Sequence, residues 1–229
     1  MLRKILFAAL LLLSPVALNA GTPYETEVTC PVGGEVFTVT DTHSCSTFGR
    51  DMAFRARTSC EFVTRLPVCP TNGLPLFMDF SEDQVATLGA FIASDDYATM
   101  RSLSPWLRAY ELAQVLGEDK SPVTFGLLLQ AYWEEEKAFF DYPDAISLML
   151  AEAGAEADRA DPEGRPYLQG IIAYMLLRSD RPEEADIWLE KARESQMEGD
   201  AYAETYLTRI EACRDAMETE ACQPVARVD

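Results

Sequence analysis

The chain has 229 residues, 38 of them acidic and 19 basic, for a formal net charge of −19. An acidic surplus of this size repels phosphate backbones and anionic headgroups, which argues against nucleic acid as a partner and against docking on an anionic lipid surface. With 48% apolar and 10% aromatic residues the chain can fill a core, so the acidity reads as a solvated surface and not as disorder.

Residues 1–20 carry the three parts of an export signal: the basic pair Arg3 and Lys4, the apolar run Ile5 to Leu13, and a break at Ser14 and Pro15 before small residues ending at Ala20. Cleavage after Ala20 is expected. The alternative, an uncleaved anchor, fails on length, because the apolar run falls short of the ~20 residues needed to span a bilayer. No cysteine stands at the cleavage point to carry a lipid, so no stable membrane insertion is expected after cleavage. Cleavage removes two of the 19 basic residues and none of the 38 acidic ones, leaving 17 against 38 and a formal charge of −21. The address is the periplasm or the outside of the cell.

Composition changes near Phe80. Before it the chain is rich in Thr, Val, Gly, Pro and Cys, the chemistry of strands and turns; after Ser81 it turns to Ala, Leu and Glu in amphipathic runs, the chemistry of helices. The expected organisation is a β-rich head over 21–80, a helical body over 81–216 and a C-terminal tail over 217–229.

Within the body, Ser104-Pro105, Ser121-Pro122 and Asp161-Pro162 each offer a capping side chain followed by proline at the first helical position. They divide it into helices near 82–93, 105–117, 122–140, 143–159, 162–179, 182–195 and 200–216. Ala173, Leu176, Ala185, Leu189 and Ala192 fall at the spacing of the small and apolar positions of a tetratricopeptide repeat, with Asp180 to Glu183 as the turn between two helices. Ala109, Leu112, Phe125 and Leu128 give a weaker form of it. A repeat stack would leave a concave groove for a protein or peptide, whereas a closed bundle explains the same alanines and leaves none. Trp106, Trp133, Tyr142, Tyr202 and Tyr206 are the aromatics that could line such a groove, and Tyr202 and Tyr206, four apart on the last helix, lead that set.

Six cysteines in an exported chain read as three disulfides. Cys213 and Cys222 are close in sequence and would tie the tail to the last helix. Cys30, Cys45, Cys60 and Cys69 remain in the head, with three possible pairings. Cys30-Pro31-Val32-Gly33-Gly34 and Cys69-Pro70-Thr71-Asn72-Gly73 look like two copies of a zinc-knuckle turn, each with its second cysteine replaced.

These motifs carry a resemblance. The order Val28-Thr29-Cys30-Pro31, Gly34, Phe37, Arg50-Asp51, Val68-Cys69-Pro70 and Gly73, followed by repeat-like helices, resembles the uncharacterised bacterial family catalogued as domain of unknown function twenty-two twenty-five. The resemblance runs from about Val28 to about Ala212 and implies a mainly α chain: a tetratricopeptide-like helical stack preceded by a small rubredoxin-like or zinc-ribbon-like head, with no established activity. Gly33 and Asn72 stand where knuckle cysteines would be. In an intact ribbon one sulfur from each knuckle lies on the same metal, so with the metal gone Cys30 is expected to pair with Cys69. Cys45 and Cys60 then form the simplest second bridge. A rival arrangement keeps zinc on Cys30, Cys45, Cys60 and Cys69, with His43 as an alternate ligand, and a third leaves reactive thiols.

Little points to catalysis. His43 is the sole histidine and lies two residues from Cys45, but no oxyanion-stabilising motif accompanies it. Glu134-Glu135-Glu136 reads as the wet face of a helix, and no calcium-loop or phosphate-loop spacing occurs. The sequence therefore favours a non-enzymatic scaffold or adaptor with an unidentified protein or peptide partner and no cofactor, against a metal-binding or thiol-redox head.

Overall fold

In the computed structural model the described residues are 23–60, 65–118, 122–141, 143–216, 222 and 227–228. The expected export signal, Ser121, Tyr142 and most of the tail lie outside them.

Runs of alternating β-branched residues form the first hairpin. Strands β1 (Pro23–Thr29) and β2 (Val36–Thr42) pair antiparallel from Pro23–Thr42 to Thr29–Val36. The chain turns between them at Cys30, whose N–H donates to Glu35 O at 2.8 Å while Gly34 N–H donates to Cys30 O at 3.1 Å. Cys69 repeats this pattern, with its N–H donating to Leu74 O and Gly73 N–H to Cys69 O, both at 2.9 Å. Gly34 and Gly73 sit at φ of 71° and 77°, a region that side chains disfavour. Asn72 ties the two turns together: its Nδ2 donates to Val32 O at 2.8 Å and its Oδ1 accepts from Leu74 N–H at 2.9 Å.

A second sheet has the order β4-β3-β5, with β3 at Thr47–Asp51, β4 at Ala56–Thr58 and β5 at Arg227–Val228. The composition of this segment leads one to expect strand throughout. Instead Met52 to Arg55 turn inward, because Met52 and Ala53 are buried against the helices. Within the segment expected as the C-terminal tail, β5 returns to pair antiparallel with β3.

The rest is helical: α1 (Glu82–Ile92), α2 (Asp95–Met100), α3 (Pro105–Val115), α4 (Pro122–Glu134), α5 (Glu136–Asp141), α6 (Pro143–Arg159), α7 (Arg165–Arg178), α8 (Pro182–Ser195) and α9 (Ala201–Asp215). Ser104 caps α3 as its sequence suggests, accepting from Leu107 N–H. Asp161 caps a turn and not a helix: its Oδ1 accepts from Gly164 N–H at 2.7 Å, and α7 starts only at Arg165. Short α2 is additional, opened by Ser94 accepting from Tyr97 N–H. The helix expected over 122–140 is interrupted at Glu135.

α7 is the axis of the body, packed by α6, α8 and α9, and every residue from Gln169 to Leu177 is buried. A helix apolar all round belongs inside. It ends in a Schellman motif, with Asp180 at φ 57°, Arg181 N–H donating to Leu176 O and Asp180 N–H to Leu177 O. That turn returns the chain as α8, where Ala185, Leu189 and Ala192 are buried facing α7.

The boundary at Phe80 is compositional and does not divide the core. Met52 and Ala53 belong to the same apolar cluster as α4, α6, α7 and α9. A second cluster joins Cys30, Cys69 and Leu74 of the head to Leu88, Tyr97 and Leu112 of α1, α2 and α3.

Candidate functional site

The helical body grips a piece of the head. Trp133 Nε1 on α4 donates to Ala53 O at 3.1 Å, Tyr206 hydroxyl on α9 donates to Met52 O at 3.3 Å, and Arg55 returns a bond to Trp133 O at 2.9 Å. Phe54 lies against Tyr167 and Tyr206 at ring distances of 5.0 and 5.1 Å, with the Arg50 guanidinium 4.4 Å above it. Its φ of 62° is unusual for a bulky residue and costs roughly 1–2 kcal/mol. The surrounding bonds hold it there: Phe54 N–H to Asp51 O, Asp51 N–H to Arg55 O, and Arg55 N–H to Asp51 Oδ1, all between 2.9 and 3.0 Å.

Charged groups line the same junction. Burial pushes the Asp51 carboxyl up to about 6, opposed by the Arg55 N–H and charge and reinforced by Glu136. Glu136 is itself raised by burial, against the pull of Arg178, Tyr132 and Arg55. Arg178 sits 3.7 Å from Glu136 and donates to Tyr174 hydroxyl, which donates to Cys222 O. Burial raises the phenols of Tyr132, Tyr174 and Tyr206. The reading of Glu134 to Glu136 as a wet face is thus corrected at Glu136. Glu134 closes α4 and Glu136 opens α5, so the three side chains do not share one helix face.

Two of the expected surface aromatics are core. Tyr206 is 0% exposed and Trp106 8%. The reason for Tyr206 is Gly170: a Cβ there would come within 2.6 Å of Tyr206 Cε1, so the missing side chain makes room for the ring. Trp133 is half-buried with its indole N–H committed to Ala53. Of the four that lie among the described residues, Tyr202 alone is exposed, at 37%. Its ring is 6.0 Å from Tyr167, so an aromatic ladder runs from Tyr206 through Phe54 and Tyr167 to the surface at Tyr202. Beside it, exposed Met197 and a cleft of about 250 Å3 lined by Gln196, Gly199, Asp200, Ala201 and Glu204 mark the α8–α9 end of the body.

The six cysteines form the bridges Cys30–Cys69, Cys45–Cys60 and Cys213–Cys222. Bonds of this kind fit an oxidising compartment. The five residues of the alternative zinc set are not brought together: Cys45, before β3, is bonded to Cys60, after β4, and His43 stacks on Tyr24 at 3.9 Å. Among the described residues the ligand-type side chains that do converge are Cys30, Cys69 and Glu35. Glu35 is held by Thr71, whose N–H and hydroxyl donate to it at 2.9 and 2.6 Å.

A larger cleft, of about 490 Å3, lies between β1 and the segment Leu76–Phe80. Its lining mixes apolar side chains with Thr29 and Asp79, and Phe77 and Phe80 meet edge to face at 5.1 Å. Among the described residues no helix is long and apolar enough to cross a membrane.

Sequence reasoning passes over the Asp51–Arg55 turn and Gly170. Both leave a signal: unalternated Met52-Ala53-Phe54 inside an alternating segment, and a lone glycine among bulky helical residues.

The protein is a mainly helical, three-disulfide chain with two small antiparallel sheets. Comparison with protein-family models, curated proteins and solved structures returns no match.

Proposed function

We propose that the protein is an exported, non-enzymatic scaffold or adaptor, working in the periplasm, that holds a protein or peptide at the Tyr202 end of its helical body. The observation that carries this reading is the way the body treats the Met52–Phe54 turn. Trp133 and Tyr206 aim donors at main-chain carbonyls, which every peptide has, while Tyr167 and Tyr206 flank a single aromatic side chain. The aromatic ladder continues from this occupied interior to exposed Tyr202, which offers a segment of another chain an aromatic surface. On this reading α7 and α8 are a tetratricopeptide-like pair and the head is a zinc-ribbon-like unit of the family named above, with the Cys30–Cys69 bond in place of the metal.

The test is site-specific photo-crosslinking in cells of the source type, with the reactive group at Tyr202 and, as control, at exposed Ile187 on α8. A discrete adduct at Tyr202 that is absent at Ile187, and a purified partner whose binding weakens on Tyr202→Ala, support the reading. No adduct at Tyr202 overturns it.

A second reading rests on Cys30, Cys69 and Glu35. After reduction this trio presents two thiolates and a carboxylate to a metal such as zinc. It requires native protein to react with a thiol reagent at Cys30 and Cys69, and complete protection of both removes it.

A further inference from the structure

We infer that the outer edge of β1, with the cleft beside it, is a docking site for an extended, basic segment of a partner protein, taken up by strand addition. This surface lies in the head and stands independently of any docking at Tyr202.

The backbone supplies the first part. Cys30 N–H bonds to Glu35 O at the end of the first hairpin, so in this antiparallel ladder the pairs Val28–Phe37, Thr26–Val39 and Tyr24–Asp41 exchange hydrogen bonds. The N–H and C=O groups of Glu25, Glu27 and Thr29 therefore point to the opposite edge. Among the described residues β1 has β2 as its sole strand partner. An edge with regularly spaced free donors and acceptors is a template for another strand.

The cleft supplies the second. It opens along Val28 and Thr29 and is walled by Leu76, Phe77, Met78, Asp79 and Phe80, which offer apolar side chains and one carboxylate to an incoming strand.

Charge names the occupant. Residues 23–49 hold Glu25, Glu27, Glu35 and Asp41, and residues 71–100 hold Asp79, Glu82, Asp83, Asp95 and Asp96; neither segment contains a lysine or arginine. Arg101 and Arg108, which approach Gly73, do not line the cleft. The charged side chains of β1, β2 and the Leu76–Phe80 wall are all negative, Glu25, Glu27, Asp41 and Asp79, so the edge favours a strand that alternates lysine or arginine with apolar residues over an acidic one. It also disfavours a second copy of this chain, whose own β1 carries Glu25 and Glu27.

The test uses the disulfide-bonded mature chain and two capped hexapeptides, Lys-Phe-Lys-Val-Lys-Phe and its glutamate counterpart, titrated at low and high salt. The lysine peptide is expected to bind, more weakly as salt rises, and to slow hydrogen exchange at the amides of Glu25, Glu27 and Thr29. Glu27→Pro deletes an outward N–H that the β1–β2 ladder does not use, so the fold should persist while affinity falls about tenfold. Glu27→Lys keeps the backbone intact and should weaken binding mainly at low salt. Equal binding of the two peptides, undiminished binding by folded Glu27→Pro, or no binding at all overturns the proposal. A chain dimer that Glu27→Pro dissolves overturns it too, in favour of self-pairing.

Discussion

The hydroxyl of Tyr206 donates to the carbonyl of Met52, 154 residues earlier in the chain, and so fastens the last long helix to the turn between β3 and β4. The relationship makes the head part of the core of the body. Tyr206→Phe keeps the ring but leaves a buried carbonyl without its donor, at a cost of about 1–3 kcal/mol, whereas Tyr206→Ala empties the site at about 3–5 kcal/mol. Tyr202→Ala, one turn earlier and exposed, should stay within about 0.5 kcal/mol. Urea unfolding of the three variants checks the order.

Gly170 provides the room Tyr206 occupies. Alanine there gains up to about 1 kcal/mol of helix propensity but brings a methyl group to 2.6 Å from Tyr206 and 3.2 Å from Ile210 and Leu207. Overpacking of a buried contact costs about 1–3 kcal/mol, so Gly170→Ala is expected to lower stability on balance. A rise in melting temperature would contradict the packing described.

Stability should fall as pH rises through weakly acidic values. The Asp51 carboxyl stands at about 6 in the folded chain, above the ~3.9 of an unfolded aspartate, so the native state holds the extra proton between the two. The favourable contribution is complete below the unfolded value and is lost as pH passes the folded one, a difference of about 2–3 kcal/mol. Glu136 and Glu111, also raised by burial, act with the same sign. Asp51→Asn keeps an acceptor for Arg55 N–H and should flatten the slope between pH 4 and 7 seen in denaturation of the parent chain.

The disulfides rank by the loops they close. For separations of 39, 15 and 9 residues, the loop-entropy relation gives about 4, 3 and 2.6 kcal/mol for Cys30–Cys69, Cys45–Cys60 and Cys213–Cys222. Paired Cys→Ala variants, compared by chemical denaturation, should follow that order. On the proposed export reading the purified chain should begin at Gly21 and weigh six hydrogens less than its reduced sequence, which intact-mass spectrometry reads directly.

How much of this was legible in the sequence depends on how far apart the interacting residues lie. Ser104 as a cap, the turn at Asp180 and the matched turns at Cys30 and Cys69 are local: a short side chain, a left-handed residue or a glycine suffices, and all stand within a few positions of what they bond. Asp161 shows the limit of such signals, since its side chain caps a turn as readily as a helix.

What the sequence by itself determined is the mainly helical body and the β-rich segment before it, because periodicity and turn residues act along the chain. What only the tertiary structure decided is which aromatics face water. Tyr202 and Tyr206 share one helix at the same spacing, yet one is exposed and the other buried. The difference is made by Gly170 and Met52, far away in sequence, and burial is a property of the neighbours a residue acquires on folding. The same holds for Asp51, whose carboxyl is raised by burial and by Glu136, against the pull of Arg55 and Ala53 in its own turn.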